Sequence, residues 1–244
     1  MMTARKTSLG ILSSILIMVP VGAAFAQASA TIEETTPFQF SPPDDGLPDN
    51  TTGGASRPAG SCLMQQGANQ AANITLLAPT SFVGITTSAH PEFLLYAEQT
   101  PVEQIFINIQ DAQGTLVYQG FQVLSADTGF FTVNLPEDTP ALEPDNTYQL
   151  SVVPICEATL RPDDPILTGY VKRIILPSVV EPSPQSSILE TAQRYADSGV
   201  WYDTLRLIGD ALSETPEDTN LLNAWNILLM SGGFSDSELN SYSF

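Results

Sequence analysis

Histidine occurs once in this chain, at His90, lysine twice, at Lys6 and Lys172, and cysteine twice, at Cys62 and Cys156. Each scarcity excludes a chemistry. Zinc-type centres take several histidine or cysteine ligands, and one histidine with two cysteines cannot supply them. No glycine-rich loop ends in Gly-Lys-Ser/Thr, so a phosphate-cradling loop is excluded. There is no G-x-S-x-G elbow. His90 precedes Pro91 at the entry to a strand, which suits a structural position better than a proton shuttle beside an activated serine. Positive charge is short as well: eight basic side chains face 27 acidic ones, a formal charge of −19. Such a chain repels nucleic acid and does not bind anionic lipid unaided. No cofactor is expected. Beyond the first 26 residues no apolar run is long enough to span a bilayer, so the mature chain is expected to have no transmembrane helix.

Those first 26 residues have the form of an export signal. Arg5 and Lys6 give a basic start, Leu9 to Ala24 are mostly apolar, and Ala24-Phe25-Ala26 is an A-x-A cleavage site. A second such site, Ala28-Ser29-Ala30, leaves the cleavage point open. Export to the periplasm or the extracellular space is the expectation. Removing the signal takes away two basic residues, leaving six against 27 acidic, a formal charge of −21. In an oxidising compartment Cys62 and Cys156 have one intramolecular pairing open to them, and a disulfide is expected. Two reduced or intermolecular thiols are the alternative.

Residues 27–61 lack periodicity. Pro37, Pro42, Pro43, Pro48 and Pro58 stop regular structure, and an extended arm is expected. Within it Asp44, Asp45, Asp49 and Asn50 could offer oxygens to Ca²⁺, but they lack the spacing of a calcium-binding loop, and turn chemistry is the better reading of them. Asp163-Asp164, between Pro162 and Pro165, also reads as a turn.

Residues 62–176 read as a β-sandwich domain. Short strands are expected around Ile74–Leu77, Phe93–Tyr96, Ile105–Gln110, Leu116–Val123, Gly129–Leu135, Tyr148–Val152 and Ile166–Leu176. Ile105, Ile107 and Ile109 share one face, with Phe106, Asn108 and Gln110 on the other. Phe93 to Tyr96 suits a strand buried on both faces. Asp111-Ala112-Gln113-Gly114 is a hairpin turn. In Leu142-Glu-Pro-Asp-Asn-Thr-Tyr148 the tyrosine can bury its ring and return its hydroxyl to the loop, as in a tyrosine corner. Seven short strands with turn signals between them give a sandwich.

Residues 177–186 are a proline-rich linker, and the period then changes from 2 to 3.6. In the helical segment 187–233, Ser187 to Glu190 form a capping box. Gly199 can take a left-handed turn. Trp201, Leu205, Ile208 and Leu212 make one amphipathic face, and Leu221, Leu222, Trp225, Leu228 and Leu229 another. Thr215-Pro216 is read as the start of the third helix. The tail, 234–244, is expected to fray.

Three resemblances follow. Leu142 to Leu150 resembles the corner of fibronectin type III domains. Tyr202 to Gly232 resembles tetratricopeptide repeat helices. The fold expectation is therefore an immunoglobulin/fibronectin-like, seven-stranded sandwich followed by a small three-helix tetratricopeptide-like segment. Over most of the mature chain, Pro42 to Pro48, Gly53 to Arg57 and Cys62, Gly84 to Phe93, Leu142 to Cys156, Gly169 to Arg173 and Tyr195 to Asp203 resemble the cyanobacterial secreted family known as the domain of unknown function number nine hundred and twenty-eight. That resemblance implies a cyanobacterial source and export, and brings no catalytic or binding residue with it.

Two functions of different class remain. The first is a non-catalytic binding or scaffolding module of the cell envelope, holding a protein or a glycan. Its partner surface is then expected where helices meet the sandwich, near Tyr170, Trp201 and Tyr202. The second is a carboxylate-based, glycosidase-like hydrolase, because a pair of carboxylates can meet in space without any local motif.

Overall fold

In a computed structural model of the 244-residue chain, the residues described are 37–44, 46–48, 73–98, 100, 102–124, 129–155, 157, 159–162, 164–178, 185–240, 242 and 244. All lie in one unit, Pro37–Phe244.

The β pattern closes into two sheets. Strands β1 (Asn73–Leu76), β3 (Glu92–Glu98) and β6 (Gly129–Asn134) form one, in the order β1-β3-β6. Strands β2 (Gly84–Thr86), β4 (Gln104–Asp111), β5 (Leu116–Val123), β7 (Thr147–Pro154) and β8 (Leu167–Arg173) form the other, in the order β2-β8-β7-β4-β5. Alternation sets the register. Ile105, Ile107 and Ile109 of β4 stand opposite Pro154, Val152 and Leu150 of β7, and the three isoleucines lie in the core. The described residues hold eight strands, against the seven expected. The addition is β2, three residues with no alternation to betray them, paired parallel to β8 through Gly84↔Val171 and Thr86↔Arg173.

The tyrosine corner is present. Tyr148 is buried, and its hydroxyl accepts a hydrogen bond from the Glu143 backbone N–H at 2.9 Å. Changing Tyr148 to Phe removes that acceptor and nothing else, so a loss of about 1 kcal/mol is expected, read as a lower denaturation midpoint with an unchanged far-ultraviolet dichroism spectrum. The β4–β5 hairpin turns as expected. Gly114 takes a φ of 80°, and the Asp111 carboxylate accepts from the Gln113 and Thr115 N–H groups. These bonds, that from Thr115 first, hold the Asp111 pKa below its ordinary value.

Helices α1 (Ile188–Asp197), α2 (Trp201–Glu214) and α3 (Thr219–Ser231) follow. Ser187 and Glu190 close the capping box. The apolar face Trp201, Leu205, Ile208 and Leu212 is entirely buried. Helix α3 starts later than Thr215-Pro216. Asp218 caps it by accepting from Asn220 and Leu221 N–H, whereas Thr215 ends α2 with its N–H and hydroxyl both on Ala211 O. A carboxylate facing the positive end of a helix outcompetes a hydroxyl for that role.

The helices form a third layer on the three-stranded sheet. That is why β3 is apolar on both faces. Phe93 and Leu95 face the sandwich core. Leu94 lies against Gly209 of α2, and Tyr96 meets Phe130 and Tyr242. One core runs through both sheets and the helices, so the change of period after 177–186 marks a change of element type while the core continues across it. The tail is docked rather than frayed. A short helix α4 (Asp236–Leu239) has its own capping box at Ser235 and Glu238, and Phe244 stacks on Phe130 and meets Trp225 edge-on. A stretch within the arm is likewise fixed: Phe38 and Phe40 are buried, and Gln193 bonds both N–H and C=O of Gln39.

Candidate functional site

Among the described residues, parts of several stretches that carry the family resemblance come together where α2 enters the sandwich. Gly199, at φ 70°, turns the chain from α1 into α2, and a Cβ there would lie 3.0 Å from Ser41 O. Ser41 N–H donates to Ala196 O, and Gly46 bridges to Phe82. Ile85 of β2 bridges to Val200. A Cβ on Gly84 would sit 2.5 Å from the Tyr202 ring, so only glycine lets that ring pass. The Tyr202 hydroxyl then reaches Tyr170 O at 2.9 Å. At the far edge Arg173 donates to Leu142 O, beside the tyrosine-corner loop.

Asp203, one residue further into α2, locks β2 to the helix. Its Oδ2 accepts from the Thr86 hydroxyl at 2.7 Å and the Thr87 N–H at 3.2 Å, and its Oδ1 from the Thr87 hydroxyl at 2.6 Å. Above this lock opens a cleft of about 240 Å³, lined by Thr86, Ser88, His90, Glu92, Tyr202, Asp203 and Arg206. Its polar groups are spent on the fold. Ser88 Oγ donates to His90 O and accepts from His90 N–H, so its partner is the histidine backbone and not the ring. His90 Nε2 lies 3.0 Å from Thr139 O. A carbonyl only accepts, so the proton is on Nε2. Arg206 pairs with Asp210 at 2.6 Å and with Glu92 at 3.5 Å. Both pairs are exposed, and each contributes roughly 0–1 kcal/mol.

Trp201 and Tyr202 do occupy the seam between helices and sandwich, but they do not form a surface. Trp201 is 0% exposed and Tyr202 2%. Trp201 Nε1–H donates to Leu77 O at 2.9 Å, and its ring stands edge-on to Phe40 and Phe82. An amphipathic helix laid on a sheet puts its largest aromatic groups into the joint, and there they are out of reach of a partner. Burial raises the Tyr202 phenol pKa and, with the Glu238 charge adding to it, pushes that of Tyr242 up to about 12. Both phenols stay protonated in the fold after the unfolded chain has begun to ionise near 10. Stability is therefore full below pH 10 and falls as pH rises from about 10 to 12. A pH series of thermal midpoints should show that fall, and Tyr202→Phe should flatten it.

Tyr170 is different. Its side chain points away from the core, onto the outer face of the five-stranded sheet. The helices cover the other side of the sandwich; on this face Leu116, Gln119, Phe121, Gln149 and Thr168 are exposed, while Phe106, Asn108, Gln110, Ser151 and Tyr170 are half-buried and Val153 is buried. The pairings place its side chains in rows across the strands: Phe121, Phe106 and Val153; then Gln119, Asn108, Ser151 and Thr168; then Leu116, Gln110, Gln149 and Tyr170. Phe106 and Phe121 are in contact, with ring centroids 5.1 Å apart and planes tilted by 55°. Phe121 is 56% and Val123 67% exposed. No carboxylate stands in these rows, in a chain with 27. Residue alternation along β4 already separated Phe106, Asn108 and Gln110 from the core, but only the register shows that their neighbours on three other strands are of the same kind.

Cys62, Cys156, Asp45, Asp49 and Asn50 lie outside the described residues. Asp44 is exposed at a bend. Asp164 is buried and closes a turn by accepting from Arg161 N–H at 2.8 Å. Among the described residues no group of three or more His, Cys, Asp or Glu could hold a metal ion, and no helix is long and apolar enough to cross a membrane.

Two sheets face to face, one of them roofed by helices, define a β-sandwich protein with an α layer. The chain belongs to the family described as Domain of Unknown Function (DUF928), which matches residues 52–241. No curated protein matches. Among solved structures it is similar to the fn3 domain of human collagen alpha-1(XX) chain, at 17% identity over 50% of this chain and 94% of that one, with a TM-score of 0.26. It is also similar to a DUF3244 family protein with an immunoglobulin-like β-sandwich fold from Bacteroides vulgatus, at 18% identity over 41% and 91%, with a TM-score of 0.22. A third is Bacteroides uniformis beta-glucuronidase 3, at 12% identity over 40% and 12%, with a TM-score of 0.24.

Proposed function

We propose that this protein is an exported, non-catalytic binding module of a cyanobacterial cell envelope, and that its contact surface is the outer face of the five-stranded sheet. The observation that carries the reading is that face: partly exposed, aromatic and amide-rich, with no carboxylate in its rows on a strongly acidic chain. The edge strand β5 adds to it. Natural edge strands are blunted by charge or proline, yet Leu116–Val123 contains neither. The signal-like first 26 residues support export, and a disulfide between Cys62 and Cys156 is part of the same proposal. A glycosidase-like hydrolase needs two carboxylates free to exchange protons and attack across a bond. In the cleft, Asp203 has both oxygens engaged and Glu92 is drawn to Arg206.

The expected results are these. Cell fractionation places the chain outside the cytoplasm, with an N-terminus following Ala26 or Ala30. Mature protein shows no turnover on ester, glycoside, peptide and phosphate substrates. Envelope material retained by the wild type is lost on Phe121→Asp, with the unfolding midpoint unchanged. Turnover abolished by Glu92→Gln would replace this reading with the hydrolase.

A further inference from the structure

We propose that the ligand of this face is a neutral polysaccharide, an inference that rests on the binding reading above and names its ligand class. The face has a chemistry as well as a location. Gln119 and Asn108 stand side by side on β5 and β4, and Gln149 stands beside Tyr170 on β7 and β8. A carboxamide offers two donors and an acceptor in one plane without charge, which matches adjacent sugar hydroxyls, each both donor and acceptor. One row away Phe121, 56% exposed, offers an apolar ring to the C–H face of a sugar, with the half-buried Phe106 tilted beside it. Rows on one face of a strand repeat about every 7 Å, and the four strands β5, β4, β7 and β8 span about 14 Å. That is a broad, shallow strip, suited to a chain of sugar rings lying along it rather than to a small molecule in a pocket.

Charge selects among occupants. A polyanion meets a mature chain of formal charge −21 and is repelled. A cationic partner finds no carboxylate in these rows and is drawn elsewhere on the molecule. A protein partner brings charged side chains at about a quarter of its positions, and these would lose water against a face with no opposing charge in its rows. A neutral glycan incurs neither cost.

The test is retention of the mature chain on neutral polysaccharides (cellulose, amylose, β-1,3-glucan, mannan and dextran), with polygalacturonate and dextran sulfate as anionic controls. The variants are Phe121→Ala, the pair Asn108→Ala with Gln119→Ala, and Glu217→Ala, which is exposed on the α2–α3 turn. The expected result is retention on at least one neutral polymer, insensitive to salt, weakened about tenfold or more by Phe121→Ala and by the Asn108/Gln119 pair, and unchanged by Glu217→Ala. Unfolding midpoints recorded alongside must match the wild type. Retention on anionic polymers alone, or retention that the face variants do not weaken, overturns the proposal. Failure on every neutral polymer, with an envelope protein or a second copy of the chain captured and then lost on Phe121→Ala, overturns the glycan and keeps the binding face. Capture of nothing, or capture indifferent to every face variant, overturns both.

Discussion

Replacing Trp201 with alanine is expected to destabilise the protein by about 3–5 kcal/mol, the range for deleting a wholly buried large aromatic side chain. The indole sits where three parts of the chain converge. The arm supplies Phe40, the segment before β2 supplies Phe82, and the turn after α3 supplies Gly232, whose missing Cβ makes room for the ring edge. Little around it is free to collapse into the space left behind. Trp201→Phe keeps part of the ring but orphans Leu77 O, and roughly 1–3 kcal/mol should follow. Trp225→Phe is the control. Trp225 is buried as well, yet its Nε1 has no hydrogen-bond partner among the described residues, so the phenylalanine removes an unsatisfied donor along with some packing and should cost less than Trp201→Phe. Urea midpoints for the three variants settle the order. If Trp201→Ala also abolishes ligand retention, a circular dichroism spectrum will show whether it does so by unfolding, the outcome its burial implies.

Much of this architecture could be read from residue order. Ile105, Ile107 and Ile109 alternate because one face of β4 is wet. The consecutive apolar residues Phe93 to Tyr96 mark a strand with a layer on either side. Tyr148, the Ser187–Glu190 box and Gly199 are local devices whose partners lie within a few residues, so sequence spacing is enough to find them. What escaped depends on residues far apart in the chain. Strand β2 is three residues long, too short for a period, and is held by β8 and by Asp203, more than a hundred positions later. Phe38, Phe40, Tyr242 and Phe244 sit in stretches rich in proline or serine, and composition there pointed to a loose arm and a frayed tail. Large aromatic side chains within reach of an apolar groove outweigh that bias, since each buries enough surface to offset the ordering of its neighbours. The candidate surface was half legible. The alternation named Phe106, Asn108 and Gln110 as outward-facing, but the rows they belong to exist only once four strands are in register. Trp201 and Tyr202 lie in the seam between helices and sandwich, whereas Tyr170 presents its side chain on the opposite sheet face. Nothing in their spacing distinguishes an aromatic ring that fills a joint from one that faces solvent.

Asp203→Ala should be the most damaging single change among the polar residues, at about 3 kcal/mol or more. One carboxylate accepts two hydroxyl hydrogen bonds and one backbone hydrogen bond from consecutive residues. Hydrogen bonds to a charged group contribute roughly 1.5–3 kcal/mol each when intact, and leaving a buried donor without a partner adds its desolvation cost. Thr86 is that donor, being 1% exposed. The cost should not be additive. Once the carboxylate is gone, Thr86→Val removes a hydroxyl that has lost its acceptor while nearly keeping the side-chain shape, but it also takes away the acceptor of Ser88 N–H, so the double variant should lie close to Asp203→Ala alone, and above it if the orphaned hydroxyl dominates. Thr86→Val in the wild-type background should cost about 1–3 kcal/mol, giving a coupling between the two sites within the 0.5–3 kcal/mol typical of residues in one network. Asp203→Asn separates charge from geometry. The amide keeps one acceptor but turns a donor toward a threonine hydroxyl that already has a hydrogen to place, so it should fall between wild type and alanine. Additive losses in the cycle would mean that β2 is held by the apolar contacts of Ile85 with Val200 and of Gly84 with Tyr202, and that the carboxylate lock is incidental. A measured coupling would make Asp203 the residue that fixes the helical layer to the sandwich, leaving the opposite sheet face open for a ligand.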